Sequence, residues 1–188
     1  WNQQGTLFAI ASDASNTYAI GDVVKLAGGA DANGVAYATK AASTDIPVGV
    51  IVGFRQADPG VSLQAPTLDL SKIYVSLSSG TRYAYVVTDC NVVFSIETDS
   101  TGVTAANVGS NAGMTITADQ TSSLSQSSPL SATVLSSSSI KAQGTSGSLA
   151  LPLTIVGVTQ RVDNAVGAYD DVQVIFNRHQ FKQAQGTA

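Results

Sequence analysis

The sequence predicts an all-β protein, an antiparallel sandwich or barrel in jelly-roll-like style, with few short helical turns. Charged residues form only 12% of the chain, about half the usual share, and hydroxyl, amide and glycine residues supply the polarity instead. Short segments alternate between apolar and polar residues, which is the pattern of half-buried strands. Turn-forming residues separate these segments, and the sequence shows no apolar stripe of helical period.

The first predicted elements are a hairpin and a strand. The pair Asn33-Gly34, in the stretch GGADANGVAY, is a strong hairpin signal. In IPVGVIVGF, residues 46–54, alternation places one set of residues on each face of a strand. One face carries Val48, Val50, Val52 and Phe54, and the other carries Gly49, Ile51 and Gly53. The glycines predict a close backbone approach on the second face, or a bulge.

Three further strands are predicted in the middle of the chain, from KIYVSL (72–77), RYAYVV (82–87) and NVVFSIE (91–97). Turns are predicted at ADPG (57–60), SSG (78–80) and DSTG (99–102). Cys90 lies inside VVTDCNVVF, which we interpret as strand, so that the cysteine is predicted to be a small buried residue.

The last third predicts two more strands. SLALPLTIVGV aligns Leu149, Leu151, Leu153 and Ile155 on one face, and DVQVIFN aligns Val172, Val174 and Phe176. A turn at NAVG, ending at Gly167, separates them. Short helical turns are predicted near residues 41–44 and 104–108.

A serine-rich segment interrupts this pattern between residues 121 and 148. It is either a disordered linker or a set of short strands joined by polar loops, and the recurring branched apolar residues favour strands. We therefore predict a single β-rich domain over residues 1–188. The alternative is a subdivision of this domain near residues 101–150. Residues 1–6 and 182–188 are predicted to be polar termini.

Two stretches of similar sequence lie about a hundred residues apart. In both stretches a proline is followed by an apolar strand, and the stretch ends with Arg and Asp. They are PVGVIVGFRQAD (47–58) and PLTIVGVTQRVD (152–163). We interpret this similarity as a coincidence of strand composition rather than a duplication.

Charge and cysteine content narrow the functional classes. The net charge is −4, and nine Lys and Arg residues form no basic stripe, which disfavours nucleic-acid binding. No apolar run approaches the roughly 18 residues of a membrane span, so no membrane partner is predicted. A single cysteine excludes an internal disulfide framework and a thiolate metal cluster.

The stretch QRVDNAVGAYDDVQVIFNRHQF (160–181) concentrates charge and contains the only histidine, His179. A hydrolytic triad needs a histidine held by an acid and facing a nucleophile, and no G-x-S-x-G elbow is present. Asp170 and Asp171 are adjacent on a strand, so their side chains point to opposite faces and cannot flank one bond. Arg161 is expected to pair with a nearby acid or to lie on the surface. We interpret the stretch as a structural hairpin and predict no catalytic, cofactor or metal site and no enzyme activity.

Other ligand sites are weakly supported by the sequence. Structural zinc needs several Cys and His ligands, and DSTG and DANG each offer calcium a single carboxylate. Trp1 and the tyrosines Tyr74, Tyr83 and Tyr85 could serve as stacking platforms for carbohydrate. Because Tyr83 and Tyr85 share a strand face with Val87, core packing is the favoured interpretation for both.

Several stretches resemble the cement, or decoration, proteins of podovirus-like tailed-bacteriophage heads. They are YAIGDVVKLAGG and GVAYATKAASTDIPVGVIVGF within residues 18–54, YVVTDCNVVFSIETDSTG, NVGSNAGMTI, and LPLTIVGVTQRVDNAVGAYDDVQVIFNRHQF at 151–181. The resemblance covers most of the chain outside the serine-rich segment.

The resemblance implies a structural virion protein without cofactors, located on the outer surface of the capsid. Its implied partners are the major capsid protein of an HK97-type lattice and further copies of itself, as a homodimer or homotrimer. Such a protein would bind across capsomer boundaries and stabilise the shell against internal pressure. A carbohydrate- or receptor-binding β-module on a virion or cell surface is the alternative.

Overall fold

The computed structural model describes residues 5–10, 17–55, 74–76, 81–116, 133–141 and 148–182. These residues form twelve strands and two single-turn 3-10 helices, at Ala105–Asn107 and Ser148–Ala150. The strands are β1 (Thr6–Ile10), β2 (Thr17–Ala19), β3 (Val23–Ala30), β4 (Ala36–Lys40), β5 (Gly49–Phe54), β6 (Tyr74–Ser76), β7 (Arg82–Val87), β8 (Phe94–Glu97), β9 (Asn111–Ile116), β10 (Thr133–Lys141), β11 (Leu153–Val158) and β12 (Asp171–Phe176). The predicted all-β class, with sheets of barrel or sandwich type, is confirmed.

The first half of the chain forms a closed barrel in the order β1-β4-β3-β5-β7. β1 and β7 pair antiparallel along their whole length, and one parallel bridge between Ala9 and Tyr37 joins β1 to β4. The predicted hairpin at Asn33-Gly34 connects β3 to β4, where Gly34 has a φ of 77° that favours glycine. β2 and β6 form a separate two-stranded sheet.

The second half forms a five-stranded sheet in the order β10-β9-β11-β12-β8. All its ladders are antiparallel. A parallel bridge between Thr98 and Leu135 brings the chain after β8 against β10, so that the two edges of the sheet meet. β10 shows that part of the serine-rich segment is strand, while residues 117–132 and 142–147 lie outside the described residues.

The two halves have the same connectivity. Counted along the chain, the five strands are β1, β3, β4, β5 and β7 in the first half and β8 to β12 in the second. In both halves the order in the sheet is third, second, fourth, fifth, first, and all these neighbours pair antiparallel. A parallel bridge then joins the first strand, or the residue that follows it, to the third. The fourth strands, β5 and β11, each carry an irregularity at the same point of their ladder with the fifth strand. It falls between Ile51 and Gly53 in β5 and between Ile155 and Gly157 in β11. The halves are therefore structural repeats.

Hydrogen bonds outside the ladders repeat as well. Gly21 N donates to Ile51 O at 2.8 Å, and Gly109 N donates to Ile155 O at 2.8 Å. Both glycines have left-handed φ, 95° and 85°. Three more backbone hydrogen bonds of the first half have an equivalent in the second. The bond from Ile51 N to Asp22 O corresponds to that from Ile155 N to Ser110 O, and the bond from Asp22 N to Ala19 O corresponds to that from Ser110 N to Asn107 O. The bond from Arg55 N to Tyr83 O corresponds to that from Thr159 N to Asp171 O.

This repeat changes the interpretation of the two similar stretches at 47–58 and 152–163. They contain the equivalent strands β5 and β11, and the structure aligns IVGF (51–54) with IVGV (155–158), one residue away from the alignment on the prolines. Coincidence was the wrong interpretation of a similarity that reflects the same bulged strand in both halves.

Each half has its own core, and the two cores are joined. The barrel interior is filled by Phe8, Ile10, Tyr18, Val24, Ala38, Val48, Ile51, Phe54, Ala84 and Val86. The second core contains Val103, Ala112, Met114, Leu135, Leu153, Ile155, Val172, Val174 and Phe176, and it also takes in Val23, Ala41 and Val50 from the barrel half. The barrel half therefore contributes one wall of the second core.

Several local predictions are wrong. Val48, Val50, Val52 and Phe54 do not share a face: Val48 precedes β5, and the bulge between Ile51 and Gly53 brings Phe54 to the same side as Ile51. Val48, Ile51 and Phe54 enter the barrel, and Val50 faces the second core. Gly49 supplies the predicted close approach, since a Cβ there would lie 2.1 Å from the Val87 carbonyl oxygen.

The boundaries of other elements also differ from the predictions. Leu149 is exposed in a 3-10 turn rather than aligned in a strand, because β11 begins only after Pro152. Cys90 is half-buried in the turn between β7 and β8, where the Asp89 side chain accepts from Asn91 N at 2.9 Å. Thr6 belongs to β1 and not to a loose terminus. The predicted turns at 57–60 and 78–80 lie outside the described residues.

Candidate functional site

His179 lies just after β12, at the contact between the two halves, and is 1% exposed. Its Nε2 donates to the Val48 carbonyl oxygen at 2.7 Å, while Nδ1 accepts from Phe181 N at 3.2 Å. This pattern requires the neutral tautomer protonated on Nε2. The ring packs against Phe176 and Phe181, each 5.7 Å away between centroids. Both nitrogens are used for structural hydrogen bonds.

Burial lowers the pKa of His179 below its ordinary value, because the charged imidazolium loses its hydration in this position. The hydrogen bond to Val48 and the carboxylate of Asp89 act in the opposite direction, and Lys182 acts with burial. The imidazole is thus kept neutral as a packed polar link between barrel and sheet.

The two adjacent aspartates face opposite sides, as predicted. Asp170 is 2% exposed and accepts a short hydrogen bond from the Thr98 hydroxyl. Asp171 accepts from Arg161 Nη2 at 2.7 Å, and Arg161 Nε also lies 3.2 Å from Asp163. The expected pairing of Arg161 is confirmed. The two aspartates bind Thr98 and Arg161, whereas the imidazole binds the backbone of Val48 and Phe181, so these aspartates and His179 belong to separate contacts.

In the part of the chain that the structure describes, no three His, Cys, Asp or Glu side chains group together as metal ligands would. Within the same ranges, no helix has the length and apolar character needed to cross a membrane. The DANG aspartate, Asp31, is instead the acceptor of a hydrogen-bond cluster described next.

A polar and aromatic cluster lies on the outer wall of the barrel. The Tyr83 hydroxyl donates a short hydrogen bond to Asp31, whose carboxylate also accepts from Asn33 N at 2.9 Å and Val35 N at 2.8 Å. The Arg55 guanidinium, whose residue is 6% exposed, lies 5.7 Å from the Tyr83 ring centroid. One face of this ring is therefore occupied by a cation.

The ionisation of this cluster follows its contacts. Burial raises the pKa of Asp31, but the hydrogen bonds from Tyr83, Val35 and Asn33 outweigh burial and bring the pKa below its ordinary value. Burial and the hydrogen bond to Asp31 raise the pKa of Tyr83. Burial also raises the pKa of Tyr85, against the nearby charge of Arg55.

Tyr83 and Tyr85 are half-buried on the outside of the barrel, while the alternate residues Ala84 and Val86 face its interior. Core packing was therefore the wrong interpretation of Tyr83 and Tyr85. Tyr83 serves to fix the β3–β4 turn through Asp31, and its ring lies beneath Arg55, which differs from an open stacking platform. Trp1 lies outside the described residues, and Tyr74 is placed only as part of β6.

The β11–β12 connection, residues 159–170, is the second structured surface feature, and we name it the brace loop. Asn164 fixes its shape: its Nδ2 donates to Thr159 O and Asp171 O at 2.8 and 2.9 Å, and its Oδ1 accepts from Asp171 N at 2.9 Å. A β-turn closes inside it, with Asn164 N donating to Arg161 O at 3.2 Å. The loop is thereby braced internally.

The brace loop is also anchored to the turn after β8. Thr98 N donates to Asp170 O at 2.9 Å, and Tyr169 N donates to Asp99 O at 3.3 Å. Gly102 packs so closely that a Cβ there would lie 1.6 Å from the Gly167 carbonyl oxygen. Only glycine fits at this contact, which locks the loop against its neighbour.

The brace loop holds three large apolar side chains in solvent. Val162 is fully exposed, and Val166 and Tyr169 are more than half exposed. Tyr169 has a φ of 59°, a left-handed conformation that is unfavourable for a residue with a Cβ. None of these three residues was predicted from the sequence to have a functional role. The signal was present as Val, Val and Tyr spaced through a segment that otherwise consists of turn residues.

Comparison with known proteins adds no relative. No protein-family model, curated protein or solved structure matches this chain.

Proposed function

We propose that this chain is a structural protein of a tailed-bacteriophage virion, which decorates and stabilises the capsid shell by binding across capsomer boundaries. The resemblance of residues 18–54 and 151–181 to cement proteins motivates the proposal. The observation that carries it is the use of the charged 160–181 stretch. Its charged, amide and imidazole groups brace a loop and join two β-structures, and the loop displays apolar side chains to solvent.

The energetics of decoration fit such a molecule. A decoration protein must gain its free energy from surface buried at subunit boundaries, and it must not lose that energy by ordering mobile segments on binding. The brace loop is ordered by its own hydrogen bonds. The two repeats share a core wall and are joined by the hydrogen bond from His179 to Val48, so they can present their surfaces together to a partner with repeated subunits.

Co-sedimentation tests the proposal. Shells of the phage that encodes the chain, assembled without it, are pelleted with purified protein, and free major capsid protein serves as the matched control. We expect saturable binding to assembled shells and weak binding to free subunits, since the complete site exists only across a boundary. Equal affinity for both forms, or no binding to shells, would refute decoration. An electron-microscopy map of the native particle would then locate the protein directly.

The carbohydrate-binding alternative makes a different prediction. A glycan array probed with the labelled protein should give signals that disappear in Tyr85→Ala if the outer wall of the barrel is a sugar site. The engagement of Tyr83 with Asp31 and Arg55 favours an array without hits.

A further inference from the structure

We propose that the brace loop is a preformed docking element whose Val162, Val166 and Tyr169 insert into an apolar pocket, edged by lysine or arginine, on a folded protein present in many copies. This inference rests on the proposed function, because the repeated protein is taken to be the shell. It goes further by naming the contacting residues and the chemistry of the site they meet.

The first argument is the cost of holding these side chains in water. Apolar groups at an exposed loop are ordinarily tolerated singly, whereas this twelve-residue loop displays three. The three hydrogen bonds of Asn164 and the close contact of Gly102 with Gly167 fix the loop before any partner arrives. Such preorganisation lowers the entropy lost on association.

The second argument is backbone strain. Tyr169 is, among the described residues, the one non-glycine residue with positive φ, and its side chain is 64% exposed. A residue that gains little from burial does not need this conformation for packing. Strained residues of this kind cluster at binding sites, where the conformation is part of the function. Here the left-handed backbone directs a large aromatic ring into solvent.

The third argument is charge. Four carboxylates at or beside the brace loop are at least partly exposed, those of Glu97, Asp99, Asp163 and Asp171, against the single guanidinium of Arg161, while Asp170 is buried. Asp163 is 77% exposed at the β-turn. A surface of this sign is repelled by nucleic acid and by anionic lipid, and it is complementary to a basic rim. The apolar centre and acidic surround together describe a site on a protein.

The fourth argument is size, which separates a repeated partner from a second copy of this chain. Three side chains bury a few hundred Å² at most, well below the roughly 1,200 Å² of a stable two-body interface. A contact this small holds only when several are made at once, as on a lattice of identical sites. Self-association through the brace loop alone would be too weak to persist.

The experiment compares shell binding by five forms of the full chain, the wild type and four variants. Val162→Ser/Val166→Ser and Tyr169→Gly remove the apolar contacts. Leu149→Ser is the matched control, because it changes an apolar side chain that is 66% exposed at the opposite end of β12 from the brace loop. The Leu149 carbonyl oxygen accepts from Asn177, the residue that follows β12. We expect roughly tenfold weaker binding for each loop variant and unchanged binding for the control. We also expect Asp163→Asn to weaken binding at low salt and to reduce its salt dependence.

The outcomes separate the two proposals. If the wild type binds shells and the loop variants bind equally well, decoration stands and the docking loop is refuted. If the wild type does not bind shells, both fail. If the wild type forms a dimer in sedimentation velocity and the loop variants do not, the loop binds a second copy of the chain. If the wild type floats with phosphatidylglycerol vesicles and the loop variants do not, the loop binds a lipid surface. Either result would overturn the inference. Thermal melts of each variant verify folding, and Tyr169→Gly, which relieves strain, should melt at or above the wild-type temperature.

Discussion

At the scale of single residues, His179 shows how a group with catalytic potential is used for structure. Both ring nitrogens bind backbone groups, and the ring lies between two phenylalanines. Proton transfer at Nε2 would break the contact with Val48 in the barrel half, and proton transfer at Nδ1 would break the contact with Phe181. Its use is visible only in the folded chain, because Val48 lies 131 residues away in sequence.

The neutral state of His179 gives the protein a pH-dependent stability. The folded pKa lies below the unfolded value of about 6.5, so the unfolded chain binds a proton first as the pH falls. The contribution is therefore fully present above about pH 6.5 and is lost as the pH drops towards the folded pKa. We expect the free energy of unfolding, measured in urea between pH 7.5 and pH 5.5, to fall for the wild type. His179→Gln should be less stable at pH 7.5 but flatter with pH, and a parallel slope would contradict the assignment.

Two neighbouring tyrosines offer a matched pair of hydroxyl deletions. Tyr83→Phe removes the donor to Asp31 and leaves that carboxylate with fewer partners, so we expect a loss of about 1 kcal/mol. The Tyr85 hydroxyl is buried and has no hydrogen-bond partner among the residues that the structure describes. Tyr85→Phe should therefore be neutral or stabilising by up to about 1 kcal/mol. Chemical denaturation measures both, and equal losses would show that Tyr85 is satisfied in solution.

At the scale of elements, the brace loop depends on one contact that a glycine makes possible. Gly102 and Gly109 both have left-handed φ, 71° and 85°, but only Gly102 faces a neighbouring backbone. Gly109→Ala therefore reports the conformational penalty alone, about 1 to 2 kcal/mol. Gly102→Ala adds a clash with Gly167 and should cost clearly more.

The Gly102→Ala variant also tests the anchoring of the loop. Hydrogen exchange at Tyr169 N, which donates to Asp99 O, should accelerate in this variant and stay slow in Gly109→Ala. If both variants lose the same stability and leave this amide protected, the contact between Gly102 and Gly167 does not hold the loop.

Regular strands were predictable from sequence, and irregular ones were not. In β12 and β8 alternation correctly places Val172, Val174 and Phe176, together with Phe94 and Ile96, against the second core. The β8–β12 ladder is unbroken, and the irregularity of the β11–β12 ladder lies in β11. In β5 the glycines indicated a bulge, but alternation alone could not place it, and every face beyond Ile51 was inverted. The bracing of the loop depends on pairs such as Thr98 with Asp170, which local patterns do not reveal.

At the scale of the whole molecule, the structure consists of two repeats tied by the segment after β12. Asn177 N donates to Pro152 O in the second half, and Gln180 N donates to Pro47 O in the first. The Gln180 side chain accepts from Leu26 N at 2.7 Å, on the part of β3 that extends beyond its pairing with β5. A few residues thus connect both repeats by main-chain and side-chain hydrogen bonds.

Similarity between the repeats was detectable in sequence only where their backbones share an unusual feature. The IVGF and IVGV segments correspond because both strands bulge before a glycine, and Gly21 and Gly109 correspond because both need left-handed φ. Elsewhere each core fills the same framework with different apolar residues: Val24 and Leu26 in the barrel stand where Ala112 and Met114 stand in the sheet. Cores tolerate such exchange when total volume is kept, so the sequence signal fades while the connectivity persists.

The joining segment predicts how the repeats unfold. In the wild type, wall residues of the barrel half belong to the second core, so we expect one cooperative transition and similar protection of the slowest amides in both halves. Gln180→Ala removes the acceptor of Leu26 N and should cost about 1 to 2 kcal/mol. His179→Ala/Gln180→Ala should separate the protection of Ile51 N in the barrel from that of Ile155 N in the sheet, two amides in equivalent bonds. Val162→Ala, at a fully exposed residue of the brace loop, serves as the control. Protection that falls equally in both halves of the double variant would mean that the shared apolar wall, rather than the terminal segment, couples them.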